Sequence, residues 1–193
     1  MVSKFFALTL FIITLPLYPL LFILIKNTSP GPFIFRQKRI GKDKKVFTMY
    51  KFRTMVENAD ALKPKLQSRN EAYRPAFKIY NDPRYTKIGK LLARTAIDEI
   101  PQLINIIKGE MSFVGPRPLP VAEAEQIPDK YIARFSILPG LTSPWVVKGG
   151  HKITFEEWMK LDVKYTADKN IWYDIQIIFQ TIITLAKVIL QYA

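Results

Sequence analysis

The chain has 193 residues and carries 29 lysines and arginines against 16 aspartates and glutamates, a net charge of +13. It has no cysteine, which excludes disulfide bonds and thiolate chemistry. So large a basic excess is typical of proteins that bind nucleic acid or an anionic membrane surface. Because the chain has no recognition-helix, zinc or RNA-binding signature and its N-terminus is strongly apolar, we expect a membrane partner and no nucleic acid.

The first element in chain order is an apolar run of 21 uncharged residues, from Phe5 to Ile25. As one helix it would be about 31 Å long, enough to cross a bilayer. The run is too long for a cleaved signal peptide, and no small-residue cleavage site follows it. Pro16 and Pro19 fall in its middle and remove helix hydrogen bonds there. The residues alone leave two structures open, a kinked spanning helix and a re-entrant helix that returns on the side it entered.

A helix-breaking stretch at residues 26–32 divides the chain into a membrane helix at 1–28 and a membrane-associated domain at 29–193. Between Lys26 and Arg53 there are nine lysines and arginines and one acid, Asp43. A cluster of this kind beside an apolar segment is typical of the cytoplasmic side, where anionic lipids attract it. The remaining length suffices for one compact domain.

Residues 32–37 and 45–52 flank a turn and predict a β-hairpin near the membrane surface. Lys51 and Arg53 alternate with Phe52, so both cations project from one face of the strand. Such cations suit a solvated strand edge, contact with lipid headgroups, or the binding of substrate phosphates. A polar helix, interrupted by Pro64, is predicted after the hairpin.

A helix opened by residues 81–83 and ending near Thr95 is predicted next, followed by another from Pro101 to about Lys108. Asp98 and Glu99 fall at the junction of these two helices, where polar side chains can be accessible. Asp98 would lie near the positive end of the second helix. A carboxylate there stays ionised and is a candidate nucleophile or metal ligand, although a helix cap is its commoner role.

Residues 115–118 set Arg117, a planar cation suited to phosphate, between two prolines that stiffen the backbone. Alone, this sequence is typical of a loop.

Further on, Trp145 could stack on a base, and His151 lacks the second histidine or cysteine of a usual zinc site. Thr154 and Glu157 form a capping box at the start of another helix, whose aromatic stripe indicates packing in the core or at the membrane interface.

The last segment, residues 171–192, is apolar except for a narrow polar line. Such a helix either lies in the bilayer interface or is buried in the core, and the residues leave both open. The polar line consists of Gln180, Thr184, Lys187 and Gln191.

The sequence resembles the monotopic phosphoglycosyl transferases, also called bacterial sugar transferases. The matching motifs lie at residues 29–37, 50–55, 77–84 and 98–118, and the last is the most specific. The resemblance favours the re-entrant form of the N-terminal helix. It implies an α+β fold, a mostly helical compact domain with a small β-hairpin and amphipathic interfacial helices.

The resemblance also implies a reaction. Members transfer a sugar phosphate from a UDP-sugar to a polyprenol (undecaprenyl) phosphate and release UMP, the first membrane step of glycan synthesis. The family nucleophile matches Asp98 and its neighbour matches Glu99, and the family's Mg²⁺ is held near the nucleophile, so Asp98 is also the expected metal ligand. The other residues expected to bind substrate are Lys51, Arg94, Pro116, Arg117 and Pro118.

Members act at the cytoplasmic face of the bacterial plasma membrane, so anionic lipids are expected partners. Whether the chain forms a homodimer is left open.

Three positions depart from the family pattern. Its Ser-Pro helix break is Leu15-Pro16, so the stabilising hydroxyl bond either comes from Thr14 or is lost. Ala93 stands where a basic residue is usual, with Arg94 as the expected substitute. The sequence at 142–147 also differs, which concerns donor specificity more than activity.

These residues support a hypothesis in which Asp98 attacks the sugar-linked phosphorus and polyprenol phosphate then attacks the covalent intermediate. Neighbouring residues of a regular helix point about 100° apart, so both acids converge only if the backbone departs from helix near Ile100, as Pro101 favours. Two alternatives are a non-catalytic membrane adaptor that binds through its basic face and an enzyme that hydrolyses lipid phosphates.

Overall fold

The computed structural model describes residues 2–190, and 58% of the structure is helical with a small sheet, which confirms the predicted α+β class. The α-helices are α1 (Val2–Thr14), α2 (Leu17–Thr28), α3 (Ala59–Leu62), α4 (Lys87–Arg94), α5 (Leu103–Lys108), α6 (Val121–Ala124), α7 (Pro144–Val147), α8 (Phe155–Asp168) and α9 (Ile171–Leu190). The strands are β1 (Ile34–Ile40), β2 (Val46–Phe52), β3 (Ser112–Val114), β4 (Leu119–Pro120) and β5 (Gly140–Thr142). Short 3-10 helices cover Lys42–Lys44, Pro64–Arg69, Ile97–Gln102, Asp129–Phe135 and Gly150–Lys152.

The predicted hairpin is confirmed. Strands β1 and β2 pair antiparallel over their whole length, from Ile34 opposite Phe52 to Ile40 opposite Val46. The sheet also has a third strand, because β4 pairs with β1 and places Leu119 opposite Ile40. A second sheet consists of the parallel strands β3 and β5. These three short strands were not predicted, since each has three residues or fewer and its partner is distant in sequence.

Helix α4 begins at Lys87 rather than at residues 81–83, so that prediction was wrong. The hydroxyl of Thr86 accepts a hydrogen bond from the Gly89 amide at 2.9 Å and caps the helix. Asp82 is instead engaged by a buried ion pair with Arg84, at 2.6 Å. A carboxylate held by a neighbouring guanidinium is not free to cap a helix.

The apolar N-terminal run consists of two helices, α1 and α2, that meet at an angle of 65°. Helix α1 ends at Thr14, whose hydroxyl donates to the Phe11 carbonyl at 2.9 Å, so the expected hydroxyl bond at the bend is present. The break falls at Leu15 and Pro16. Pro19 does not contribute to it, contrary to the prediction, because it lies in the first turn of α2, where no helix hydrogen bond needs its missing N–H.

The N-terminal helices pack against the rest of the chain on one side. Ala7 of α1 is fully buried against α5, and Ile25 of α2 is buried beside Phe52. Arg53, at the end of the hairpin, donates hydrogen bonds to the carbonyls of Ile25, Ser29 and Pro30. A cation at a helix C-terminus satisfies unpaired carbonyls and opposes the helix dipole. Arg53 is therefore a structural residue that fixes the end of α2 to the sheet.

Helix α9 is not a core helix, because Ile177 is its one buried residue among those the structure describes. Gln191, the last residue of the expected polar line, lies outside the described residues. Large apolar side chains are exposed on α9, as on α1 and α2; examples are Phe5, Leu20, Trp172, Phe179 and Ile182. Within residues 2–190, one helix, α9, is long and apolar enough to cross a membrane. The α1–α2 pair would be a second such element if it were counted as one bent span.

Candidate active site

The acid pair lies on a 3-10 helix, Ile97–Gln102, not just before an α-helix opened by Pro101 as predicted. Pro101 is inside this 3-10 helix, and α5 begins after it, at Leu103. The departure from α-helical geometry begins at Ala96 and continues through the 3-10 helix, which includes Ile100, so the predicted departure near Ile100 is present. Ala96 has φ 56° and ψ 13°, a left-handed conformation that commonly ends helices and that disfavours any residue with a Cβ by about 1 kcal/mol.

Lys51 brings the two carboxylates together. Its ammonium Nζ lies 2.5 Å from Glu99 Oε1 and 3.5 Å from Asp98 Oδ2. Neighbouring residues of a 3-10 helix point about 120° apart, so the two acids would diverge without a partner reaching between them. Strand β2 packs against the 3-10 helix and supplies that partner. Both acids and Lys51, three of the residues predicted for the site, therefore meet at one point.

The two carboxylates differ in their surroundings. Asp98 is only 5% exposed, so the expectation of an accessible side chain was wrong. Burial raises the pKa of Asp98 to about 6, against the opposing effect of Lys51. Burial acts in the same direction on Glu99, but Lys51 and then Arg117 lower the pKa of Glu99 below its usual value. At neutral pH both carboxylates are ionised. Lys51 and Arg117 stabilise the charged form of Glu99, whereas burial destabilises the charged form of Asp98.

The turn around Arg117 is rigid because all three of its carbonyls are hydrogen-bonded. The carbonyl of Pro116 accepts from the Gly140 amide at 3.0 Å, that of Arg117 from Arg134 at 2.9 Å, and that of Pro118 from Arg39 at 2.9 Å. A Cβ on Gly140 would lie 2.1 Å from the Gly115 amide nitrogen, so only glycine permits this approach of β3 and β5. The stiffness inferred from the prolines is thus reinforced by tertiary contacts.

A small open cleft joins Lys51 and Glu99 to this turn. Among the residues that line it are Lys51, Glu99, Arg117, Pro118 and Arg39. Asp98 does not line the cleft, but its carboxylate lies 3.5 Å from the ammonium of Lys51, which does. The remaining lining residues are Met49, Gln102, Gly140 and Leu141.

Sequence reasoning missed two cations of this site, Arg39 and Lys78. Burial and the neighbouring Arg117 lower the pKa of Arg39 to about 9. Burial, followed by Arg117 and Lys51, also lowers the pKa of Lys78. Lys78 belongs to a matched segment and Arg39 to the basic cluster between Lys26 and Arg53, but nothing in the sequence distinguishes them from solvated surface cations.

Two other residues named from the sequence lie elsewhere. Arg94 is not among the residues that line the cleft, and its guanidinium is 3.3 Å from Asn81 and 5.9 Å from the ring centre of Tyr80. His151 packs edge-on against Trp145, and burial, followed by Arg117, lowers the pKa of His151 to about 3.

The acid pair fits a Mg²⁺ ion that binds together with a substrate. Among residues 2–190 no three histidine, cysteine or acidic side chains are grouped to hold a metal, which does not fit an all-protein cage. Mg²⁺ usually takes one or two carboxylates and completes its octahedron with waters and substrate phosphates. Asp98 and Glu99 provide such carboxylates, and Lys51 lies between them as a positive charge that both contact.

Comparison with known proteins agrees with the resemblance. Residues 1–188 match the family described as bacterial sugar transferase. The galactosyl transferase CpsE of Streptococcus agalactiae serotype III is 44% identical over 79% of this chain and 34% of its own length. The exopolysaccharide production protein ExoY of Rhizobium meliloti is 36% identical over 86% of this chain and 76% of its own. The UDP-glucose:undecaprenyl-phosphate glucose-1-phosphate transferase of Escherichia coli K12 is 39% identical over 82% of this chain and 33% of its own.

This chain belongs to the bacterial sugar transferase family, since the family match covers nearly all of it. The chain spans about a third of the length of the CpsE and Escherichia coli relatives and about three quarters of ExoY. Relatives with different named sugars are similar to it, so family membership does not identify the sugar.

The raised pKa of Asp98 predicts how Asp98→Asn changes stability with pH. The pKa of Asp98 is 3.8 in the unfolded chain and about 6 in the folded chain. The free energy of unfolding of the wild type therefore falls as the pH rises between these values. The loss reaches about 2 to 3 kcal/mol above pH 6. Asp98→Asn does not titrate, so its unfolding free energy, measured by denaturant titration, should rise relative to wild type over this range.

Asp43→Asn is the matched control, because Asp43 is an exposed acid in the hairpin turn. It is measured in the same titrations as the loss of a surface acid. An Asp98→Asn difference from wild type that grows no more than that of Asp43→Asn between pH 4 and pH 6 would contradict the burial of an ionisable carboxyl at position 98.

Proposed function

We propose that this chain transfers a sugar 1-phosphate from a UDP-sugar to a polyprenol (undecaprenyl) phosphate, releasing UMP and leaving a polyprenyl-diphosphate sugar. One relative is named as a transferase of glucose 1-phosphate between UDP-glucose and undecaprenyl phosphate, and another as an undecaprenyl-phosphate galactose phosphotransferase. The observation that carries the proposal is the contact of Lys51 with both acids, beside a cleft that Lys51 and Glu99 line together with Arg39 and Arg117.

The charge of the cleft supports an anionic donor. Burial lowers the pKa of Arg39 and of Lys78, and Arg117 lies close enough to lower both further. A diphosphate bound among them would relieve this mutual repulsion and gain charge-assisted hydrogen bonds. Arg117 is suited to bind two phosphate oxygens at once, because its guanidinium is planar.

In the first step, a carboxylate oxygen of Asp98 forms a bond to the sugar-linked phosphorus while the bond from that phosphorus to the UMP oxygen breaks. UMP leaves with the electron pair, and the sugar phosphate stays on Asp98 as an acyl phosphate. Lys51 must move off Asp98 before the attack, and it can do so while paired with Glu99, which is 2.5 Å from its ammonium. The firmly ionised Glu99 thus holds Lys51 near the phosphate.

In the second step, a phosphate oxygen of the polyprenol phosphate attacks the same phosphorus, and the bond to Asp98 breaks, which restores the free carboxylate. A covalent intermediate lets one site serve a soluble donor and a lipid acceptor in turn. Mg²⁺, held by Asp98 with Glu99, would supply positive charge to the donor diphosphate. Burial of the Asp98 carboxylate favours the attack, since a desolvated anion is the less stable starting state.

The exposed apolar faces of α1, α2 and α9 support association with a membrane, because contiguous apolar surface of this extent is unfavourable in water. We propose that α1 and α2 dip into the cytoplasmic leaflet, that α9 lies in the interface, and that the basic hairpin region meets anionic lipid headgroups. The cleft would then open where a lipid-linked phosphate is available.

Asp98→Asn is expected to abolish UMP release while the protein stays folded and membrane-bound. With a UDP-sugar labelled in the sugar and no acceptor, the wild type should retain label after denaturation, and peptide mapping should place it on Asp98. Lys38→Met, a change at an exposed cation of the same hairpin, should leave labelling near wild type. Label on another residue, or turnover that survives Asp98→Asn, would contradict the proposed intermediate.

Single cysteines test the topology, since the chain has none of its own. Ser3→Cys and Lys42→Cys should both react with a membrane-impermeant thiol reagent from the cytoplasmic side only, if α1 and α2 dip and return. Adding Pro16→Leu should allow one continuous helix and move Cys at position 3 to the opposite side. Pro19→Leu is the matched control and should leave it in place, because Pro19 is not at the bend. Reaction of Ser3→Cys from the opposite side without Pro16→Leu would indicate a spanning helix.

A further inference from the structure

A buried ion pair lies behind the Arg117 turn, outside the acid pair and its cleft. Arg134 is 2% exposed and Asp162 is fully buried. The guanidinium of Arg134 donates to Asp162 Oδ2 from Nη2 at 2.8 Å and from Nε at 3.1 Å. The same Nη2 donates to the main-chain carbonyl of Arg117 at 2.9 Å. Asp162 therefore fixes a guanidinium that in turn fixes the backbone of Arg117.

The side chain of Arg117 is supported separately by aromatic rings. Its guanidinium carbon lies 5.1 Å from the ring centre of Trp145. Trp145 stacks on Trp158, with ring centres 4.7 Å apart and planes inclined by 26°. Both indoles are 4% exposed, so the stack is held by its surroundings and cannot swing away.

Trp158 and Asp162 are one turn apart on α8 and so share one face of the helix. One face of α8 thus supports Arg117 through two sets of contacts. Asp162 acts on the Arg117 carbonyl through Arg134, and Trp158 acts on the Arg117 guanidinium through Trp145. For stability alone a buried ion pair is a weak choice, because apolar residues of similar volume often serve as well or better. The buried pair is explained by a role in positioning the backbone of Arg117.

We propose that Asp162 and Trp158 are positioning residues for Arg117 and thereby set the affinity of the cleft for the donor diphosphate. The inference rests on the proposed function in one respect, that Arg117 binds the donor. A guanidinium held in place before the ligand arrives loses little conformational entropy on binding. Arg117 freed from either support keeps its charge but loses this advantage.

The test is a double-mutant cycle with UDP as the probe, measured by titration calorimetry on the full chain in detergent with Mg²⁺ present. Asp162→Asn should weaken UDP binding about tenfold when Arg117 is present and less than about twofold in the Arg117→Lys background, a coupling of ordinary size for residues that act together. Trp158→Leu should behave in the same way, and Trp158→Phe, which keeps a ring for the stack, should restore most of the affinity.

Thr154→Ala is the matched control, because it removes the cap of α8 without touching Arg134 or the indoles. It should lower the melting temperature but produce equal effects on UDP binding with and without Arg117→Lys. If Asp162→Asn does not fold, the two Trp158 variants complete the cycle.

Effects of Asp162→Asn and Trp158→Leu that are equally large in both backgrounds would overturn the inference, as would a wild type that does not bind UDP. A wild type that binds UDP with the expected coupling but releases no UMP would count against the proposed reaction alone.

Discussion

The site depends on one ammonium group held between two carboxylates. Lys51 belongs to the hairpin, Asp98 and Glu99 to a 3-10 helix nearly fifty residues later, and the contact joins the sheet to the segment between α4 and α5. The left-handed Ala96 and the 3-10 geometry turn the acids toward β2, and Lys51 completes the convergence. Without Lys51, two neighbouring carboxylates would be buried together with no compensating charge, which is strongly unfavourable.

The same contact gives two similar side chains different roles. Glu99 makes the shorter contact with Lys51 and stays firmly ionised, whereas Asp98 is buried deeper and its pKa is raised. A pair of titratable groups whose surroundings separate their pKa values is a frequent arrangement in active sites. Around this pair, Arg39, Lys78 and Arg117 leave an excess of positive charge that suits a diphosphate.

Local sequence patterns predicted the parts of the fold whose cause is local. The hairpin follows from alternation around a turn, the α8 capping box from Thr154 and Glu157, and the helix break from Pro16. Parts that depend on distant contacts were missed or misplaced. The parallel pairing of β3 with β5 needs the close approach of Gly115 and Gly140, and the start of α4 moved because Arg84 engages Asp82.

The candidate site shows the same division. The sequence indicated the acid pair, Lys51 and the Pro-Arg-Pro turn, because these are unusual residue combinations. It did not indicate that Asp98 is buried, that Arg39 and Lys78 belong to the site, or that Arg94 does not line the cleft, since burial is a property of the packed chain. The Arg134–Asp162 pair, 28 residues apart in sequence, has no local pattern at all.

The most direct test of the central contact is the pH dependence of UMP release by Lys51→Met, with Lys38→Met as the exposed-lysine control. Lys51 lowers the pKa of Asp98, so its removal should raise that pKa above about 6. The acid limb of kcat/KM should then move upward by about one pH unit or more, while the limb of Lys38→Met stays with that of the wild type. An acid limb that does not move in Lys51→Met would contradict control by Lys51 of the ionisation of Asp98, the carboxylate proposed to attack the donor.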